Sequence, residues 1–519
     1  MAKKLKPTLV LAGPGAGKTH HIIKKVSENI PLLDPKRFLA VITYTNAATL
    51  EIKERLSKEI EIPSNVFIGT IHSFLVRFFL KPFGKLHGYL PENVIYKGVE
   101  IVAEDKIEEN KIKSNIVRKG IVPYDKIVSL SNNLIENKVV RNLISSRIQF
   151  LFVDEYQDAD AGQYRIFEQL RIAGSTTMHF VGDPEQSIMS FQNKGRKIPT
   201  MDKRAISKAI NSNMINKEFL CGNHRSSKTI IDFINNFHTS INQTLSGDNK
   251  TKNKVTFISI TKDISRIIEQ FNLLCNDSNY CENRPKRRFF LAYEGDTYKA
   301  SENEFGLIRK EDKDSVDINF MKESSKFVCE ILNKGKNAII DEMAIDNITY
   351  RQLCLKVINS VIDNPFINGE NLVNIVRSLF KFDPYSLVHS KVKHNPIEVA
   401  EGFIKKISFE MYENNNKESE DFCLTIHKAK GLESDAVLII AKTKNELKKW
   451  LEQDEQIRAI DKKDTCRIGY VGFSRAKEFL CIACLESIND ELKKKLSNLN
   501  VDILPEKQNE NAKHGIKTI

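Results

Sequence analysis

Short apolar runs alternate along most of the chain with longer stretches whose apolar residues recur every three or four positions. Buried strands are predicted at Thr8–Leu11, Phe38–Thr43, Val66–Gly69, Ile148–Val153 and Met178–Val181. A second set follows at Val255–Ile260, Phe289–Tyr293, Ala436–Ile440 and Phe479–Cys484. HIIKKVSENI, after the first run, has the spacing of an amphipathic helix. Strands separated by helices predict parallel sheets and an α/β fold. Two long segments break the rhythm. Residues 76–147, with AEDKIEENKIKSNIVRKG inside them, read as charged amphipathic helix, and 305–404 as mainly helical.

The polar residues between these elements add chemistry. Ala12, Gly13, Pro14, Gly15, Ala16, Gly17, Lys18 and Thr19 lie between the first strand and its helix. A glycine-rich turn there lets backbone N–H groups approach phosphates, while Lys18 brings a cation and Thr19 a hydroxyl for Mg²⁺. Such loops usually begin with glycine where this one has Ala12. The loop predicts a nucleoside triphosphate site, with ATP and Mg²⁺ as the expected ligands. IQFLFVDEYQD supplies the acidic partner: Asp154 at the strand end for the metal, and Glu155 to polarise an attacking water. In MHFVGDPEQSI, Gln186 falls just beyond another strand end, placed to sense the γ-phosphate.

Charge narrows the partner. Lys plus Arg number 79 against 67 Asp plus Glu, a formal +12, which favours a polyanion through counterion release. With 519 residues, 41% hydrophobic and 28% charged, the chain reads as globular and multidomain. No apolar run approaches about 18 residues, so no membrane span is expected, and MAKKLKPTLVLAGPG has no secretory pattern. The nine cysteines are scattered, as in a reduced, cytoplasmic protein. Cys481 and Cys484, in FLCIAC, would point to opposite faces of a strand and read as core thiols.

Eight stretches, GPGAGKT, ITYTNAATLEIKERL, FIGTIHSF, VDEYQD, VGDPEQSI, LCGNHRS, TIHKAKGLES and RIGYVGFSRAK, occur in this order across most of the chain. With them the chain resembles the UvrD/PcrA/Rep family of superfamily 1 helicases. The resemblance implies two RecA-like P-loop domains with parallel sheets, 1–75 with 148–225 and 226–304 with 405–519. Each is interrupted by a helical insert, 76–147 and 305–404. It implies ATP-driven 3′-to-5′ movement on single-stranded or tailed double-stranded DNA. Arg225 and Arg475 would reach the triphosphate across a cleft, completing a catalytic set with Glu155 and Gln186, and Glu433 would face the ribose. The DNA contacts implied are Thr43, Tyr44, Asn46, Thr70, His72, Phe191, Thr425 and His427, with Tyr44 and Phe191 as stacking faces. For His72 and His427, local packing is the alternative.

Departures leave further alternatives open. No glutamine segment precedes the phosphate loop, Met189 to Lys194 keep one aromatic ring, Phe191, but lose the arginine of the Arg-Gly-Ala run usual after QSI, His224 replaces a tyrosine and Ser434 an aromatic. A DNA-end sensor or adaptor whose ATP cycle gates a partner is therefore a second reading, and a free-standing repair helicase a third. Little chain follows Arg475, so no fused nuclease is expected. The compact size and short inserts resemble the helicase-like subunits of two-gene Gabija anti-phage systems, which implies a separate nuclease-ATPase partner of the GajA type.

Overall fold

The computed structural model describes residues 6–99, 101, 105–188, 199–247, 254–299, 301–305, 307–309, 320–343, 345, 347–364, 367–380, 395–415 and 420–505. They form two compact units, Met1–Leu307 with Cys423–Ile519, and Ile308–Phe422.

The first sheet contains β1 (Thr8–Ala12), β2 (Phe38–Thr43), β3 (Val66–Thr70), β4 (Ile148–Val153), β5 (Thr177–Gly182) and β6 (Asn216–Leu220). Their order is β3-β2-β4-β5-β1-β6, every pair parallel. Alternate residues feed two cores. Leu9, Leu11, Ala40, Ile42, Leu151 and Val153 pack on one face, and Val10, Leu39, Val41, Phe150, Phe152 and Val181 on the other. The second face is covered by helix α1 (Lys18–Asn29) through Ile22, Ile23 and Val26. Because the strands are parallel, their carboxyl ends share one edge, and register fixes what meets there. Leu11 lies opposite Gly182, so the phosphate loop and the turn after β5 leave the sheet side by side. Ile42 lies opposite Val153, and the Asp154 N–H donates to the Ile42 carbonyl at 2.9 Å.

The second sheet contains β7 (Thr256–Ile258), β8 (Arg287–Ala292), β9 (Glu420–Thr425), β10 (Ser434–Ala441), β11 (Ala476–Cys484) and β12 (Asp502–Leu504), ordered β9-β8-β10-β11-β7-β12. The strands from β8 to β12 in that order are parallel. Phe290, Leu438, Ile440 and Phe479 form its core with Ile267, Ile268 and Phe271 of the helix Ile264–Cys275. Cys481 and Cys484 are both buried thiols. Within 76–147, helices Lys106–Arg118 and Tyr124–Glu136 flank a small parallel pair, Ile95–Lys97 with Ile121–Pro123.

The second unit is helical and has its own core, in which Tyr350, Cys354 and Val357 meet Leu372, Val376 and Phe403. Phe403 stacks on Phe327 with ring centroids 4.3 Å apart. Among the described residues no helix is long and apolar enough to cross a membrane.

Candidate nucleotide site and nucleic-acid groove

Gly17 caps α1 with φ 78°, a left-handed conformation that suits glycine, and Gly15 has φ 70°. A Cβ on Gly15 would lie 2.6 Å from the Asn223 amide oxygen and from the Arg225 side chain, so the loop is pressed against the segment after β6. Asn223 and Gln243 both donate to the Pro14 carbonyl, at 2.9 and 3.0 Å, and the His224 N–H donates to the Gly15 carbonyl at 2.9 Å. Lys18 Nζ curls onto the loop, donating to the carbonyls of Ala12 and Gly13 at 3.3 Å each.

The acidic pair stands beside this loop. Burial, then the neighbouring Glu155 charge, pushes Asp154 up to about 7, against the pull of Lys18. A buried carboxylate so disfavoured calls for a cation, and with the Thr19 hydroxyl it offers the hard oxygen donors that Mg²⁺ prefers. Glu155 behaves oppositely. Burial raises it, but Lys18, Lys430 and a hydrogen bond from Gln157 outweigh burial and hold it below its ordinary value, ionised at neutral pH. Its φ is 48°, a conformation that costs a non-glycine residue about 1 kcal/mol or more.

Side chains from the second sheet's elements close the site. Glu433 accepts from Nε of Arg225, in the segment after β6, at 2.6 Å, and Lys477 bonds the same carboxylate at 2.8 Å. Arg475, wholly buried at the end of helix Thr465–Phe473, donates to the carbonyls of Val471 and Leu432 and, at 3.3 Å, to the Gln186 amide oxygen. Burial and the nearby Arg225 charge press its pKa well below the usual guanidinium value. Lys430 reaches Asp158 at 2.6 Å. One cavity of about 480 Å³ is lined by Pro14 to Thr19, Glu155, Gln186, Arg225, Glu433 and Arg475.

At the carboxyl ends of β2 and β3 lies a groove of about 900 Å³, where Tyr44, Asn46, Thr70 and His72 meet Arg77, Lys81, Tyr96 and Tyr124. Thr45 and Thr70 cap the helices that follow them, and Thr43 is buried, bonded to Thr49 at 2.6 Å. The Tyr44 hydroxyl donates to Gln163 at 3.1 Å. Burial lowers the pKa of His72, whose ring lies 6.1 Å from that of Tyr124. Arg77 stacks over Phe38 and Phe67 at 5.4 Å from each ring centre. Among the described residues the groove lining holds Arg77 and Lys81 as permanent cations and no carboxylate.

Comparison with known proteins agrees with this geometry. The AAA domain family matches residues 1–192, and the UvrD-like helicase C-terminal domain family matches residues 331–487. The chain belongs to the UvrD-like superfamily 1 helicases. By family it is an ATP-dependent DNA helicase. "Gabija protein GajB" of Bacillus cereus is 24% identical over 84% of this chain and 87% of that protein. "ATP-dependent DNA helicase Rep" of Buchnera aphidicola is 26% identical over 36% of each chain. A "Probable DNA helicase II homolog" of Mycoplasma capricolum is 23% identical over 80% of this chain and 64% of that protein. The chain thus spans little more than a third of the Rep protein's length.

In this UvrD-like helicase the structure gathers around one cavity the loop, Glu155, Gln186, Arg225, Glu433 and Arg475; Asp154, next to Glu155, is buried. Thr425 and His427 lie on the other sheet's side, away from the groove lining: Thr425 accepts the Lys428 N–H at 3.3 Å, and burial followed by Lys430 lowers His427 to about 4. Phe191 lies outside the described residues. Sequence reasoning missed Gln157, Asp183, His238 and Gln243 around the cavity, and Arg77, Lys81, Tyr96 and Tyr124 in the groove. The groove residues had a signal, basic and aromatic residues close together in RFFLK and VPYDK. All four groove residues belong to the insert 76–147, in which sequence reading named no DNA contact.

Proposed function

We propose that this chain is an ATP-driven 3′-to-5′ translocase on single-stranded DNA, acting as the helicase-like subunit of a bacterial anti-phage defence complex with a separate nuclease. The observation that carries the motor reading is the shared cavity, in which the phosphate loop, Glu155 and Arg225 meet Glu433 and Arg475 from the other sheet's elements. A triphosphate there brings an anion to Arg475, whose guanidinium among the described residues bonds neutral oxygens. Arg225, held by Glu433, exchanges that carboxylate for phosphate as the halves close. Glu155, ionised, takes the proton of the attacking water, and the arginines stabilise charge on the departing phosphoryl. Mg²⁺, which Thr19 and Asp154 would hold, supplies neutralisation of the β- and γ-phosphate charge.

The groove suits a single strand. Tyr44, His72 and Tyr124 offer ring faces for bases, and Arg77 and Lys81 offer cations for phosphates. The defence assignment rests on likeness to the Gabija protein over most of both chains, and its partner would be a GajA-like nuclease-ATPase. The setting is cytoplasmic. A sensor or adaptor with little unwinding is the second reading, favoured by the departures from Met189 to Lys194. ATPase rates with and without single-stranded DNA, then strand displacement on duplexes with 3′ or 5′ tails, test the motor. Unwinding from 3′ tails supports it, DNA-stimulated hydrolysis without displacement supports the adaptor, and hydrolysis indifferent to DNA defeats both. If no nuclease copurifies from the native host, the free-standing repair helicase is the better account.

A further inference from the structure

Gln186 takes its orientation from a residue outside every stretch that sequence reading singled out. His238 follows the helix Lys228–Asn235, on the chain segment beyond Arg225. Its Nδ1 accepts two backbone N–H groups, from Ser240 at 3.2 Å and Ile241 at 3.1 Å. A ring nitrogen that accepts cannot carry the proton, so these two bonds assign the proton to Nε2. Nε2 then donates to Asp183 Oδ1 at 3.0 Å, with both side chains all but inaccessible to solvent. The other oxygen, Oδ2, accepts from Gln186 Nε2 at 2.8 Å. With its nitrogen so engaged, the amide turns Oε1 towards Arg475 Nη2 and the nucleotide cavity. Burial raises Asp183, but His238, Lys18 and Gln186 together hold it below its ordinary value, so it is an acceptor at neutral pH. Its backbone N–H is fixed as well, donating at 3.0 Å to Gln157, which bonds Glu155.

We propose that His238 is a positioning residue for ATP hydrolysis: its Nε2–H, acting through the Asp183 carboxylate, fixes the Gln186 amide with its oxygen facing Arg475 and the γ-phosphate position. The inference rests on the reading that Gln186 meets the γ-phosphate. The competing role is local, with His238 serving only to close the turn to Ile241 through Nδ1.

Two substitutions separate these roles, because glutamine places an amide N–H near the Nε2 position and asparagine places an acceptor near Nδ1. For the full-length protein with single-stranded DNA, His238→Asn is expected to lower kcat for ATP about tenfold, the weight of one hydrogen bond between buried groups. Affinity for a fluorescent ATP analogue should stay within about twofold, since the phosphate loop is untouched. His238→Gln should recover most of the rate. In a Gln186→Ala background His238→Asn should add little further loss, because the route through the amide is already cut. A full rate in His238→Asn with a deficit in His238→Gln would overturn the proposal in favour of turn closure. So would an undiminished effect of His238→Asn in the Gln186→Ala background. If Gln186→Ala alone hydrolysed ATP at the parental rate, the assignment of Gln186 would fail first, and this inference with it.

Discussion

The nucleotide cavity and the groove past Tyr44 are built in opposite ways. Around the cavity nearly every functional side chain is bonded to a group from the other sheet's elements: Arg225 to Glu433, Arg475 to Gln186, Asp183 to His238, Lys430 to Asp158. Behind them two buried ion pairs, Arg204 with Asp464 at 2.5 Å and Arg458 with Glu185, tie the same halves together. In the groove the hydroxyls of Thr43 and Thr70 make local bonds instead, and what faces the space is rings and two cations. The two chemistries differ accordingly. Phosphoryl transfer gains from donors fixed before charge develops, whereas a strand of any sequence is held by stacking and charge that do not depend on which base is present. Changes in the cavity should therefore affect turnover or domain coupling, and changes in the groove should affect DNA affinity alone.

The largest effect expected is on hydrolysis. Glu155→Gln should lower kcat about 10²–10⁴-fold, the usual range for a lost general base, while still binding nucleotide. Lys18→Ala should abolish hydrolysis and weaken binding too. Single-turnover assays beside an ATP-analogue titration separate the two variants. Either variant hydrolysing near the parental rate would break the cavity side of the comparison.

Next comes the brace behind the cavity. Asp464 has φ 57°, a conformation that asparagine tolerates, so Asp464→Asn removes charge with little backbone strain. Arg204 is left as a buried unpaired cation, and the cost should be about 3–5 kcal/mol, seen as a lowered denaturation midpoint. Removing the buried cation as well, Arg204→Met with Asp464→Asn, should restore much of it. The Glu185 pair adds a pH signature. Burial raises Glu185, but Arg458 and Arg467 outweigh burial and hold it below 4.5. A carboxylate lowered in this way contributes stability that is complete above its unfolded pKa and lost as pH falls through the folded one. The stability gap between the parent and Glu185→Gln should therefore be widest at neutral pH and close below about pH 4.5.

Legibility in the sequence divides along the same line. Most strands of both sheets were readable because runs such as IQFLFV and AVLII are continuous and bounded by turns, whereas Asn216–Leu220, Glu420–Thr425 and Asp502–Leu504, short or rich in polar residues, were not predicted. Among the cavity residues, the loop, Glu155 and Gln186 stand out in their own stretches, whereas Arg225, Glu433 and Arg475 were singled out only through the family resemblance. His238 and Gln243 were not, since a single polar residue past a helix becomes a partner of Asp183 or Pro14 only through tertiary folding. Asp464 and Arg204, separated by 260 positions, carry no local pattern at all. The groove was half legible: Tyr44 and His72 stand in marked stretches, but Tyr124 opens a helix within 76–147, a segment read only as charged amphipathic helix.

Tyr124 is the sharper test of the groove. It is 51% exposed, at the first position of the helix Tyr124–Glu136 and beside His72. Tyr124→Ala should weaken single-stranded DNA binding by about 1–3 kcal/mol, as loss of one base-stacking face does. The ATP analogue should bind as in the parent. A change in nucleotide affinity, with DNA affinity kept, would reverse the division between the two regions.

The smallest effect expected belongs to Lys81, and it separates charge from stacking within the groove. Lys81 is exposed and lines the groove with Arg77, whose guanidinium is already engaged with Phe38 and Phe67, so it is the more freely placed of the two cations. If it neutralises one phosphate, Lys81→Ala should reduce the slope of log affinity against log salt by about 0.7, the single-strand value for one contact. The loss of affinity should then shrink as salt rises, because the counterion release it contributes shrinks too. Tyr124→Ala should leave that slope unchanged, since stacking releases no counterion. Fluorescence anisotropy of a labelled oligonucleotide across several salt concentrations reads both variants in one series. Parallel salt lines for Lys81→Ala and the parent would remove Lys81 from the phosphate path and leave the groove to its aromatic faces.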